Sequence, residues 1–239
     1  MKKYLIFALI FVTGMAAFAG ESWNNHVGFG FRAPTGMTLS EYNSDRDWSL
    51  RMPVQAGIDV SYTGVHMATG LSVRGFMDYN ISLSDIKRIN PKHDDNVIGF
   101  NLDGAIGIGF APIRNKYLLL GFYGIAGVDY SAFPDFYIEK HESSDNKKKS
   151  NSTKTTQWYT YESFLVGGNA TAIWTPTGNR FSVYGSATVG YNLPGLFQTT
   201  TRIKTYNKND DTEKEYYTDD FYTTGSLKVI PSIGISWKF

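Results

Sequence analysis

From Ser226 to Phe239 the side chains change character at every step. Leu227, Val229, Pro231, Ile233, Ile235, Trp237 and Phe239 share one face, and Ser226, Lys228, Ile230, Ser232, Gly234, Ser236 and Lys238 share the other. A two-residue period with unlike faces is a β-strand between two different environments. Other segments repeat it. Ile98, Phe100, Leu102, Ile106, Ile108 and Phe110 alternate with Gly99, Asn101, Asp103, Ala105, Gly107 and Gly109. Val54, Ala56, Ile58, Val60 and Tyr62 alternate with Gln55, Gly57, Asp59 and Ser61, and 181–192 follows suit. The apolar face is continuous each time, while the other carries Gly, Ser and whole charges. A soluble barrel would bury the apolar face and seldom give its core Asp, Arg and Lys. The polarity is therefore inverted, with lipid as the outer solvent.

Eight such strands are expected, over 25–34, 51–62, 67–80, 97–111, 117–131, 157–174, 180–193 and 225–239. Tight turns are expected at 63–66, 112–116 and 175–179, the last two marked by Pro and the last also by Thr-Gly-Asn. Long polar segments fall near 35–50, 81–96, 132–156 and 194–224. Short turns at one end, long loops at the other and an even strand number are the build of a transmembrane β-barrel. Backbone groups cannot stay unpaired in hydrocarbon, so the last strand must close on the first. The fold class is all-β, an eight-stranded antiparallel transmembrane up-and-down barrel. Aromatic belts are expected at Tyr62, Phe110, Tyr117, Trp174, Phe181, Trp237 and Phe239 on the turn side. Tyr79, Tyr130, Trp158 and Tyr191 form the other belt. Pro231 breaks the ladder of its strand, so a bulge is expected there.

Composition excludes much else. No run of 18 apolar residues follows the N-terminus, which removes a helical membrane protein. Lys2 and Lys3, the apolar run 4–12 and Ala17-Phe18-Ala19 have the order of a secretory signal peptide, so 1–19 is removed and 20–239 is the barrel. Losing two Lys takes the net charge from +1 to −1. With 23 Lys+Arg against 22 Asp+Glu there is no basic excess, and no nucleic-acid partner is expected. The chain has no Cys, which excludes disulfides, thiolate metal sites and a lipidated N-terminal Cys. With 24 Gly, 15% aromatic and 19% charged residues, it does not read as a helical enzyme.

The signal peptide, the rhythm of three turns and four loops, and the ending Ile233-Gly-Ile-Ser-Trp-Lys-Phe239 together resemble small eight-stranded outer-membrane barrels of the OmpX, OmpW and OmpA-transmembrane-domain kind. The resemblance implies a bacterial outer-membrane location with loops at the cell surface and outer-membrane lipid around the barrel. It also implies that Ile233, Ile235, Trp237 and Phe239 form the assembly signal read by the outer-membrane insertion machinery. It is architectural, and no functional residues carry over.

Candidate chemistry lies first in the inward charges: Arg32, Arg74, Lys228 and Lys238 against Asp59, Asp78, Asp103 and Asp129. They line a solute path or form a salt-bridged plug, and the plug is favoured because eight strands enclose only room for side chains. Strands 67–80 and 97–111 meeting at Met67 and Phe110 would set Arg74 opposite Asp103. Inward Gly99, Gly107, Gly109, Gly121 and Gly127 make room for Tyr123, Tyr184 and Arg74. The spacing of Gly104, Gly107 and Gly109 is no dinucleotide fingerprint, because no helix follows. His26, His66, His93 and His141 are scattered, so no metal site, cofactor or catalytic residue is expected. The loops are the other candidate. Lys140, Lys147, Lys148, Lys149 and Lys154 oppose Asp210, Asp211, Glu213, Glu215, Asp219 and Asp220, on hairpins expected to continue above the membrane. Three functions remain: a non-enzymatic surface protein binding a host or matrix ligand or supporting the envelope, a narrow OmpW-like channel for small or hydrophobic solutes, and a lipid-modifying enzyme with His and Ser at the outer rim.

Overall fold

The strands that close the barrel each keep one apolar face and one small or polar face, and the sheet they build turns its apolar face outward. The computed structural model describes residues 22–33, 37–41, 48–88, 94–141, 151–176, 180–193, 199–207, 212–220 and 226–239. The expected signal peptide lies outside them. Eleven strands make one antiparallel sheet among these residues: β1 (Trp23–Arg32), β2 (Met37–Glu41), β3 (Trp48–His66), β4 (Leu71–Arg88), β5 (Asp94–Arg114), β6 (Leu118–His141), β7 (Asn151–Trp174), β8 (Phe181–Leu193), β9 (Thr199–Asn207), β10 (Thr212–Asp220) and β11 (Ser226–Lys238).

Eight of them close in the cycle β1-β3-β4-β5-β6-β7-β8-β11, with β11 returning to β1 through His26–Lys238 to Arg32–Ser232. Closure leaves no unpaired edge in the membrane. Exposure shows the inversion directly. Phe31 is 67%, Ile108 69% and Ile233 63% exposed, whereas Asp103 and Lys228 are fully buried.

The structure differs from the sequence expectation in four places along the wall. β3 runs through 63–66 in register with β4, and the turn falls at 67–70, where Gly70 takes a positive φ of 80°. A Cβ there would also press on the Phe110 ring, so Gly meets two demands at once. Pro112 lies within a strand, at a register shift between Phe110 and Ile113, and a second shift lies between Arg51 and Val54 around Pro53. Pro231 needs no bulge: its pairing with β8 is in continuous register. Its carbonyl accepts from Ala33 N–H at 3.2 Å, so its nitrogen side faces β1 where that strand ends, and the missing donor interrupts no ladder. Tyr62 is buried and donates to Asn25 Oδ1 at 2.8 Å, rather than joining the aromatic belt.

The other end is taller than loops would make it. Segments expected as loop near 81–96 and 132–156 are mostly strand, and β6 and β7 reach 24 residues each. β7 changes partner along its length. Phe164–Trp174 pair with β8, and Thr153–Thr160 pair with β9. The hairpin β9–β10 thus takes over the wall where β8 stops.

Candidate functional site

Alternation sends every second side chain of the eight closed strands inward, and cross-strand register decides which of them meet. One row stands out. Asp59 pairs with Asp78, Asp78 with Asp103, and Asp103 with Asp129, so four carboxylates lie side by side across β3, β4, β5 and β6. All four are buried. Like charges directly opposite repel, and burial removes the water that would screen them. The row therefore needs a partner for each acid.

The partners come from the far wall and from neighbours on the row. The Tyr184 hydroxyl of β8 donates to Asp59, lying 2.8 and 2.7 Å from its two carboxylate oxygens. Arg32 of β1 forms an ion pair with Asp78, to which Asn80 also donates at 2.8 Å. Lys228 of β11 reaches across to Asp103 at 2.5 Å and Asp129 at 3.1 Å, and donates to Asn101 Oδ1 at 3.1 Å. Asp129 further accepts from Asn101 at 2.5 Å and from Asn192 at 2.8 Å. The guanidinium of Arg32 sits 4.1 Å from the Phe76 ring centroid, which suits its flat, weakly hydrated face.

Arg74 stands apart from the acids. It lies opposite Gly107 rather than Asp103, and donates to Thr63 at 2.8 Å and Ser186 at 3.3 Å. Lys238 is not in this network either: it is half-buried at the short-turn end, opposite His26. Below the charges, Val65, Ala111, Leu119, Ile173 and the Tyr184 ring form a buried apolar floor at the same end. Phe76, Ala105, Tyr123 and Ile125 form a second apolar layer. Gly28, Gly30 and Gly234 make room for Tyr184, since a Cβ at each would meet its ring or hydroxyl. Gly121 does the same for Tyr123.

The sequence reading missed Tyr184 as an acid's partner, along with the amides Asn80, Asn101 and Asn192. All four carry the inward parity of their strands, which was the available signal. Of the histidines, His66 accepts from the Thr69 N–H within the 67–70 turn at 3.3 Å, and His26 is buried. His93, Ser143 and Ser144 lie outside the described residues, as do Lys147, Lys148, Lys149, Asp210 and Asp211.

Chemically, Arg32 and Lys228 are committed to Asp78, Asp103 and Asp129, and Asp59 to the Tyr184 hydroxyl. A hydrated ion crossing the interior would have to part Lys228 from two carboxylates. Replacing Tyr184 with Phe tests the first contact. Removing a donor from a buried carboxylate costs about 2 kcal/mol, to be read as a lower urea midpoint for the vesicle-inserted barrel.

No family model matches the sequence, and no curated protein matches it either. Among solved structures the chain is similar to a major outer membrane protein from Thermus thermophilus, at 12% identity and TM-score 0.51, covering 88% of this chain and 99% of that one. It is also similar to Ail, the attachment invasion locus protein of Yersinia pestis, at 9% identity and TM-score 0.39 over 91% and 97% of the two chains. A third is the outer membrane protease OmpT from Escherichia coli, at 10% identity and TM-score 0.39 over 93% and 98%. The last two are too distant in shape to carry an argument. The first, with the closed cycle, apolar exterior and polar interior, makes this an eight-stranded outer-membrane β-barrel in fold.

Proposed function

We propose that the protein is a non-enzymatic surface protein of the outer membrane, binding a host or matrix ligand through the sheet that rises beyond the bilayer. The observation that carries this is the length of β6 and β7. A membrane β-strand needs ~9–11 residues, and these have 24 each. The excess is continuous strand, braced by β9 and β10. Among the described residues β10 pairs with β9 alone, which leaves one edge for an extended segment of a ligand to join. The paired charges inside favour this reading over a solute path.

Deleting residues 199–220 tests it. Cells displaying the protein are expected to bind immobilised matrix proteins and glycosaminoglycans, and the deletion is expected to abolish that binding while the heat-dependent gel shift persists. The refolded protein is expected to be silent in a planar bilayer. Reproducible conductance steps that change with Asp103→Asn would overturn the reading in favour of a channel, and so would binding that survives the deletion.

A further inference from the structure

Among the described residues the short-turn end, which faces the periplasm in outer-membrane barrels, carries positive charge alone. Arg114 ends β5, Lys116 lies in the β5–β6 connection, Arg180 in the β7–β8 connection, and Lys238 ends β11. No Asp or Glu side chain lies at this end among the described residues. The opposite end mixes both signs within β4, β6, β7 and β10, as Lys87 near Asp85 or Glu215 beside Lys214 shows.

The four cations are not equivalent. Arg114 is occupied structurally, donating to the carbonyls of Met67 at 2.8 Å, Ala68 at 3.1 Å and Ala111 at 3.1 Å. Its charge remains, but its donors are spent on the turns. Lys116 and Arg180 are exposed and Lys238 is half-buried, and none of the three has a carboxylate partner among the described residues. Arg180 and Lys238 are adjacent, since the Lys238 N–H donates to the Arg180 carbonyl at 2.7 Å.

Two of the three stand beside an exposed aromatic ring. The Lys116 ammonium lies 4.7 Å from the Tyr117 ring centroid. Arg180 precedes Phe181, whose partner in register is Trp237. Lys238 has the inward parity of its strand and lies opposite His26, so it belongs to the mouth of the barrel rather than to the belt. Trp174 is 56% exposed at the same level. Rings of this kind mark the height of lipid headgroups, and cations held there meet phosphates rather than bulk water. A soluble periplasmic polymer would need the charges to project from the membrane surface; these lie level with the belt.

We infer that Lys116 and Arg180 form a headgroup-binding arc that selects anionic phospholipid from the periplasmic leaflet. The arc acts as an anchor on that leaflet, independent of anything bound at the cell surface.

Quenching by brominated lipid tests this, because three of the five Trp residues (Trp23, Trp174 and Trp237) lie at this end. The protein with Trp48→Phe and Trp158→Phe is refolded into phosphatidylcholine vesicles containing brominated phosphatidylglycerol or brominated phosphatidylcholine. At low salt the anionic lipid is expected to be preferred about threefold to tenfold, falling as salt rises. Lys116→Gln and Arg180→Gln together are expected to bring the ratio to about one. Arg114 is left in place because it holds the turns. If the double variant fails the heat-dependent gel shift, Lys116→Gln and Arg180→Gln are read singly, each expected to lose part of the preference. Equal quenching by both lipids overturns the inference, and so does a preference that the variants keep. Retention on isolated cell-wall sacculi that depends on these residues, without lipid preference, also overturns it and assigns the arc to a polymer.

Discussion

Lys228→Met is expected to destabilise the barrel by about 3–5 kcal/mol, because it leaves buried carboxylates without their cation. Lys228 is fully buried and lies within 2.5 Å of Asp103 and 3.1 Å of Asp129. No water replaces it without entering a packed interior, and Asp78 stands next to Asp103 on the acid row. Methionine keeps most of the stem volume, so the loss reports charge rather than a cavity. Adding Asp103→Asn removes one of the two stranded charges and is expected to recover part of the loss. Asp129 retains Asn101 and Asn192 as donors. Urea unfolding of the vesicle-inserted protein, followed by the heat-dependent gel shift, measures both variants. If the double variant is no more stable than the single, the Lys228 charge is not what holds the row together.

That prediction could not have been written from the sequence, and the reason is physical. Alternation fixes the parity of each residue, so Asp59, Asp78, Asp103, Asp129, Arg32, Arg74 and Lys228 were all legible as inward. Parity survives any even slip. Setting Arg74 against Asp103 is four residues from the observed register, in which Arg74 meets Gly107. Every side chain keeps its face through that slip while its partner changes. Turn geometry pins register in a hairpin, but the sequence reading placed a long polar segment near 81–96 between β4 and β5 and so had no turn from which to count. Contacts across the lumen, such as Tyr184 to Asp59 and Lys228 to Asp103, depend on the tilt and stagger of the whole barrel.

The turns were misread for a different reason. Thr63-Gly64 has turn chemistry, yet Thr63 and Val65 also continue the inward alternation, and the pairing of Thr63 with Arg74 and Val65 with Ser72 keeps the strand going. Gly70, with its positive φ, was the better marker. The long segments above the membrane were read as loops because their polar residues lack an apolar face. A strand with water on both sides needs none, as 81–88 and 132–141 show, whereas the β-favouring Thr and Tyr of 199–206 did mark a hairpin, and β9 and β10 form it.

Ile233→Arg is expected to cost about 2–4 kcal/mol in vesicles, the range for a cation at the midplane of a barrel's lipid face. Ile233 lies at the middle of β11, 63% exposed, opposite Phe31 on one side and Gly185 on the other. The value of this variant is in its sign. On a barrel standing in water, an arginine at a site this exposed would be tolerated or would raise solubility; in hydrocarbon it must draw headgroups or water inward. Depth supplies the control. Leu71 is also outward and 47% exposed, but it follows the 67–70 turn at the end of the wall. Leu71→Arg is expected to cost only about 0–1 kcal/mol. Urea midpoints of the two variants in the same vesicles decide the matter. A large cost at 233 with a small one at 71 puts the bilayer centre across the middle of β11. Equal costs would mean that the exposed apolar belt does not face lipid, and the inverted barrel would lose its physical basis.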